Sequence, residues 1–120
     1  MTINNTKVTK KVSVFGAGNA GLTAAYHFTQ QGCQVALYGS DGFDEQIHAI
    51  TANGGIKSLA KYHGTALNYS GFEFIDCLTT DIKQAIAYSD ILILPVPSFA
   101  QVPLFKQMLP HLTANQTIVL

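Results

Sequence analysis

The chain has 120 residues, enough for one domain, and 48% of them are hydrophobic, which supports a buried core and excludes general disorder. Seven basic residues balance seven acidic ones, so no charge excess is available to hold a nucleic acid or an acidic membrane surface. The first ten residues are polar without an apolar signal region, and no apolar run reaches the roughly 18 residues of a membrane span, so a cytoplasmic protein is expected.

Residues 1–10 read as a flexible leader and residues 11–120 as one domain. Residues 11–15, KVSVF, read as a short strand, apolar enough at Val12, Val14 and Phe15 for a buried parallel position. Gly16-Ala17-Gly18-Asn19-Ala20-Gly21 follows, a complete G-x-G-x-x-G, and residues 22–31 can continue as a helix that Gly32 stops. Strand, glycine turn and helix together are the setting of a dinucleotide-binding fingerprint. Gly16 would permit the tight turn, Gly18 would let a pyrophosphate approach bare backbone, and Gly21 would let the helix pack close to the strand. The phosphates would sit at the helix N-terminus, where free N–H groups and the dipole favour negative charge without a basic patch.

Residues 34–38 read as the second strand. An acid that binds the adenosine ribose usually ends this strand, and its slot falls on Gly39, with Ser40 and Asp41 next, so the acid is missing from its place or displaced by about two residues to Asp41. Without a carboxylate at that slot a 2′-phosphate is not repelled, and Ser40 could donate a hydrogen bond to it. The cofactor expectation is therefore NADP or NAD, leaning to NADP. Asp41 is alternatively a helix cap.

Residues 43–52 read as a short helix, broken by Gly54-Gly55. Residues 56–59, 66–69 and 72–75 read as short extended pieces, an insertion around 54–75 at the sheet's edge. Residues 77–79 read as a third core strand, and Thr80 or Asp81 should cap a helix through Tyr88, with Gln84 reinforcing the cap. Residues 91–94 are four consecutive apolar residues and read as the most buried strand. They run into Pro95-Val96-Pro97-Ser98, a loop stiffened by two prolines, which should face the cofactor near its nicotinamide. Ser98 should cap a helix over 99–109, with Pro103 in its first turn or kinking it and Pro110 ending it. Residues 117–120 begin a further strand, and a chain stopping inside a strand reads as the front part of a longer protein. The expected fold class is α/β, a Rossmann-type, doubly wound, mostly parallel sheet.

The remaining candidates are read blandly. Cys33 and Cys77 lack a C-x-x-C partner and are expected as reduced, largely buried thiols. His27 falls in the first helix, His48 has no ligand partner at i+4, and His63 and His111 sit in no recognisable catalytic setting, so no metal site is expected. Three N-x-S/T sequons, at Asn4, Asn68 and Asn115, read as chance matches.

Taken together, Val14-Phe15-Gly16-Ala17-Gly18-Asn19-Ala20-Gly21, Gly54-Gly55-Ile56, Thr79-Thr80-Asp81 with the helix to Ser89-Asp90, and Val96-Pro97-Ser98-Phe99-Ala100 resemble the opine dehydrogenase family, the octopine/nopaline dehydrogenase group. The Asn inside the glycine loop and the V-P-S-F-A segment are the more specific parts. The larger superfamily, with glycerol-3-phosphate dehydrogenase and ketopantoate reductase, shares the glycine loop but usually carries a basic residue after strand two, from which Gly39-Ser40 departs. The resemblance implies an NAD(P)H-dependent reduction of the imine formed by a 2-oxo acid and an amino acid. It also implies that the proton-transferring His–Asp pair belongs to a C-terminal helical domain absent from this sequence, so no catalytic residue is assigned. The expected partners are a nicotinamide dinucleotide and, in a longer chain, the 2-oxo acid and amino acid; a homodimer is left open, and neither nucleic acid nor membrane is expected. The alternatives are a cofactor domain like those of glycerol-3-phosphate dehydrogenase or ketopantoate reductase, and a non-catalytic nucleotide-sensing module.

Overall fold

The computed structural model describes residues 10–40, 42–59 and 70–120. The elements run β1 (Lys11–Phe15), α1 (Asn19–Gln30), β2 (Gln34–Tyr38), α2 (Asp44–Asn53), β3 (Gly55–Leu59), β4 (Ser70–Phe74), β5 (Cys77–Thr79), α3 (Ile82–Tyr88), β6 (Ile91–Ile93), α4 (Ser98–Met108), a 3₁₀ turn (Leu109–His111) and β7 (Thr117–Val119). Among the described residues, five strands form a parallel sheet in the order β5-β2-β1-β6-β7, and β3 pairs with β4 as a separate antiparallel ribbon. The chain moves outward from β1 through β2 to β5, then returns to place β6 on the other side of β1. That reversal is the topological switch point of a doubly wound sheet.

Strand pleating divides the core. Val12, Val14, Val35 and Leu37 point to the face covered by α1 and α2, where they meet Ala25 and Ile47. Phe15, Tyr38, Leu92 and Leu94 belong to the cluster on the other face, with Ala85 and Ile86 of α3 and Leu104 and Met108 of α4. Strands buried on both faces read as continuous apolar runs, which is why β1 and β2 were legible. Each fully buried Leu, Ile or Phe side chain contributes about 1.5–3 kcal/mol. Ser13 is the polar exception in the centre of β1, and its hydroxyl donates to the Ala85 carbonyl at 2.7 Å.

The first helix begins at Asn19, directly after Gly18, where the Leu22 N–H donates to the Gly18 carbonyl at 2.9 Å. It ends as expected at Gly32, whose φ of +95° lets Cys33 N–H reach back to Phe28 and Gly32 N–H to Thr29. Asp81 caps α3 by accepting from Lys83 N–H, but Gln84 does not close the cap itself. It accepts from the Thr79 hydroxyl, and Thr79 in turn accepts the Asp81 N–H. The strand at 91–94 is less buried than β1 and β2: Leu92 and Leu94 are buried, Ile91 and Ile93 half-buried. Ser98 is the first residue of α4, Pro97 occupies the cap position, and no side-chain cap bond forms. Pro103 lies inside α4, past its first turn, and Pro110 falls within the 3₁₀ turn after the helix has already ended at Met108. The insertion contributes β3 and β4; the extended piece at 66–69, Asp41, His63 and the leader's first nine residues lie outside the described residues. Cys33 and Cys77 are free thiols, half-buried rather than largely buried.

Candidate dinucleotide site at the carboxyl edge of the sheet

The site is built where β1 gives way to α1. Gly16 has a φ of +130°, a left-handed conformation that side chains rarely adopt, and a Cβ there would lie 2.8 Å from Val96 Cγ1. Gly16 therefore turns the chain sharply under the loop that follows β6. Gly21 allows the helix to sit on that turn: a Cβ at Gly21 would lie 1.6 Å from the Gly16 carbonyl oxygen. Gly18 differs from both. Its φ of −76° suits any residue, and a Cβ on it would meet nothing closer than Phe43 Cε1 at 3.9 Å. Local conformation does not require a glycine at 18, and its outer side is open.

That opening lies at the N-terminus of α1. Gly18 is the cap residue, no side chain bonds to the first turn, and no acidic residue stands there. The N–H groups of Asn19, Ala20 and Gly21 are the first-turn donors, which an α-helix does not satisfy internally. Asn19 and Ala20 are exposed, whereas Ala17 is buried in the core on the α1/α2 face. A pyrophosphate fits this cradle, since the space beside Gly18 is the space a side chain would fill.

Beside the cradle a cavity of about 290 Å³ runs along the carboxyl ends of the strands, lined by Gly16, Tyr38, Ser40, Val96, Phe99 and Leu104 among others. It brings together the first glycine, the residues after β2 and the loop after β6. Ser40 and Val96 line it; Gly39 does not, nor do Pro95, Pro97 and Ser98, of which the last two are exposed. Val96 shares the cavity with Ser40, so the proline loop and the residues after β2 face one space at the carboxyl edge of the sheet. The α4 residues Phe99 and Leu104 were absent from the sequence-based site. Phe99 had a signal in the Val96–Ala100 segment of the family resemblance, and Leu104 had only its place on the helix that follows a strand's carboxyl end. His27 lies on α1, beside a second cleft between that helix and β3. His48 is exposed on α2.

A glycine-turn cradle at a helix N-terminus, set at the switch point of a doubly wound parallel sheet, defines an NAD-binding dehydrogenase domain of Rossmann type. Comparison with known proteins agrees. The family described as "NAD-dependent glycerol-3-phosphate dehydrogenase N-terminus" matches residues 11–120, and the chain belongs to that family. It is 32% identical over 108 residues to the glycerol-3-phosphate dehydrogenase [NAD(P)+] of Colwellia psychrerythraea strain 34H, covering 90% of this chain and 30% of the relative. It is 27% identical over 110 residues to the enzyme of the same name from Bacillus subtilis strain 168, covering 92% of this chain and 29% of the relative. The chain thus spans under a third of the length of these relatives.

Among solved structures, octopine dehydrogenase with NADH and L-arginine superimposes with a TM-score of 0.74 at 24% identity. Octopine dehydrogenase in complex with NADH and agmatine gives 0.72 at 26%. Each likeness covers 92% of this chain and 28% of the other. Among the described residues no helix is long and apolar enough to cross a membrane.

Proposed function

We infer that this chain is the cofactor-holding part of a two-domain, cytoplasmic NAD(P)-dependent dehydrogenase. The observation that carries the reading is Gly18, a residue with ordinary φ whose missing side chain leaves open the space in front of a helix N-terminus. The backbone N–H groups of residues 18–21 hold the pyrophosphate. Val96, Phe99 and Leu104 give the adenine ring apolar walls, and Ser40 meets the adenosine ribose. The bound nicotinamide would supply or accept a hydride; this chain's residues bind and orient it. The substrate and the proton donor belong to a second domain, which the greater length of the relatives supports.

For the substrate, the family match across residues 11–120 favours glycerol 3-phosphate. The opine-type reading, a 2-oxo acid and an amino acid condensed and reduced, has the octopine dehydrogenase fold in its favour. Without a carboxylate at position 39 both NADH and NADPH are accepted, with the balance toward NADPH.

Titration with NADH and NADPH, read by nicotinamide fluorescence, tests the binding step: saturable binding is expected, and none with either cofactor contradicts it. Turnover separates the substrate classes. The 120 residues alone should bind cofactor without oxidising or reducing it. The longer protein carrying this domain should turn over with glycerol 3-phosphate or with an oxo acid and amine. Robust turnover by residues 1–120 would overturn the two-domain assignment.

A further inference from the structure

The position after β2 normally carries the ribose-binding acid, and here it is Gly39. Gly39 still belongs to the sheet's ladder, because its N–H donates to the Thr79 carbonyl at 3.1 Å. The pleat therefore dictates where a side chain at 39 would go: to the α1/α2 face, like Leu37 two residues earlier. A Cβ on Gly39 would lie 2.5 Å from Ile47 Cγ1, 3.1 Å from Ile47 Cδ1 and 3.5 Å from Ala17 Cβ. Ile47 is 3% exposed, packed in the core. Its backbone is tied by an N–H bond to the Phe43 carbonyl at 3.2 Å, so it cannot swing out to solvent without vacating the core. Ser40, one residue on, lies outside this obstruction and lines the cavity. Its backbone is held by a bond from Phe43 N–H to its carbonyl at 2.9 Å.

We propose that Ile47, reaching from α2 over Gly39, is the positioning residue that keeps a ribose-binding carboxylate out of position 39: it fills the space such a side chain would need and leaves the Ser40 hydroxyl to meet the 2′ substituent of the adenosine ribose. This rests on the dinucleotide reading given under Proposed function. A hydroxyl donates to a ribose hydroxyl or to a phosphate oxygen, whereas a carboxylate accepts from the first and repels the second. The site therefore takes both NADH and NADPH, with a modest balance toward NADPH, and Ile47 decides whether a carboxylate introduced at 39 can alter that balance.

The experiment is a paired titration of the 120-residue chain with NADH and NADPH, alongside thermal denaturation. The wild-type affinity ratio should lie within about tenfold of unity. Gly39→Asp alone should lower the melting temperature and gain no NADH preference. Gly39→Asp with Ile47→Ala gives the carboxylate room and should move the ratio toward NADH by about tenfold or more. Ile47→Ala alone adds space without charge and should keep the wild-type ratio. If the double variant does not fold, Ser40→Asp provides the independent readout, because it places a carboxylate in the cavity without disturbing Ile47. It should weaken NADPH against NADH by about tenfold. Gly39→Asp alone matching the double variant, or Ser40→Asp leaving the ratio unchanged, overturns the proposal. Absence of binding by the wild type overturns the dinucleotide reading instead, and this inference with it.

Discussion

The two edges of the sheet are built differently. At the amino edge, side chains tie segments distant in sequence. Gln116 donates to the carbonyls of Ile86 and Ser89 at 2.7 and 3.1 Å, finishing the end of α3. The Ser89 hydroxyl donates to the Lys11 carbonyl and accepts the Ile91 N–H. Tyr88 donates to the Asp76 carboxylate at 2.6 Å, and Lys11 Nζ lies 5.2 Å from the Tyr88 ring centre. At the carboxyl edge, apart from the Thr79–Asp81–Gln84 cap beside β5, the architecture is backbone: glycines, a proline loop and an uncapped helix start. In front of the helix start at Gly18 no side chain fills the space. One edge holds the fold, and the other keeps its main-chain polar groups available.

Substitutions that cross between these roles should have the largest effect. Gly21→Val drives a side chain into the Gly16 carbonyl, so it should cost stability, by about 3 kcal/mol in thermal denaturation, and abolish cofactor binding. Gly18→Val should separate the two: an affinity loss of about 100-fold with stability changed by about 1 kcal/mol or less. Gln116→Ala is the converse at the other edge. It removes the donor to two carbonyls and should cost about 1–3 kcal/mol with cofactor affinity unchanged.

The smallest effect concerns pH and again belongs to the amino edge. Burial, then the hydrogen bond and charge of Asp76, push the Tyr88 hydroxyl well above its ordinary 10.0. Burial, then the charge of Asp76, also raises the Cys77 thiol above its ordinary 9.0. Both groups stay neutral in the folded protein at pH values where the unfolded chain has begun to ionise them. Their contribution is therefore complete below about pH 9 and is lost as pH rises further. Stability measured by urea denaturation should decline above pH 9, and Tyr88→Phe should flatten the part of that decline beginning near pH 10.

Much of the fold could be read from the chain because its information was local. The apolar runs at 11–15 and 34–38, the glycine motif and the turn at Gly32 each carry their reason within a few residues. What escaped reading depends on partners far away. Gln116 is an unremarkable polar residue until α3 ends beside it. Gly39 looked like an empty slot for a ribose acid, and only the docking of α2 shows Ile47 occupying the space above it. Ile91–Ile93 has the composition of a central strand, but burial depends on what packs outside it, and two of its three residues, Ile91 and Ile93, are only half-buried. Ser98 was a reasonable cap by type, yet the helix starts one residue too early for it to serve. Of the candidate site, the glycine loop was legible residue by residue, while the cavity walls from α4 were not.

The most direct test of the division between the two edges is one paired measurement on Gly18→Val: its melting temperature, and its titration with NADH and NADPH followed by nicotinamide fluorescence. The account predicts a melting temperature within a few degrees of wild type and cofactor affinity reduced about 100-fold. A folded Gly18→Val protein that binds either dinucleotide as tightly as wild type would contradict it.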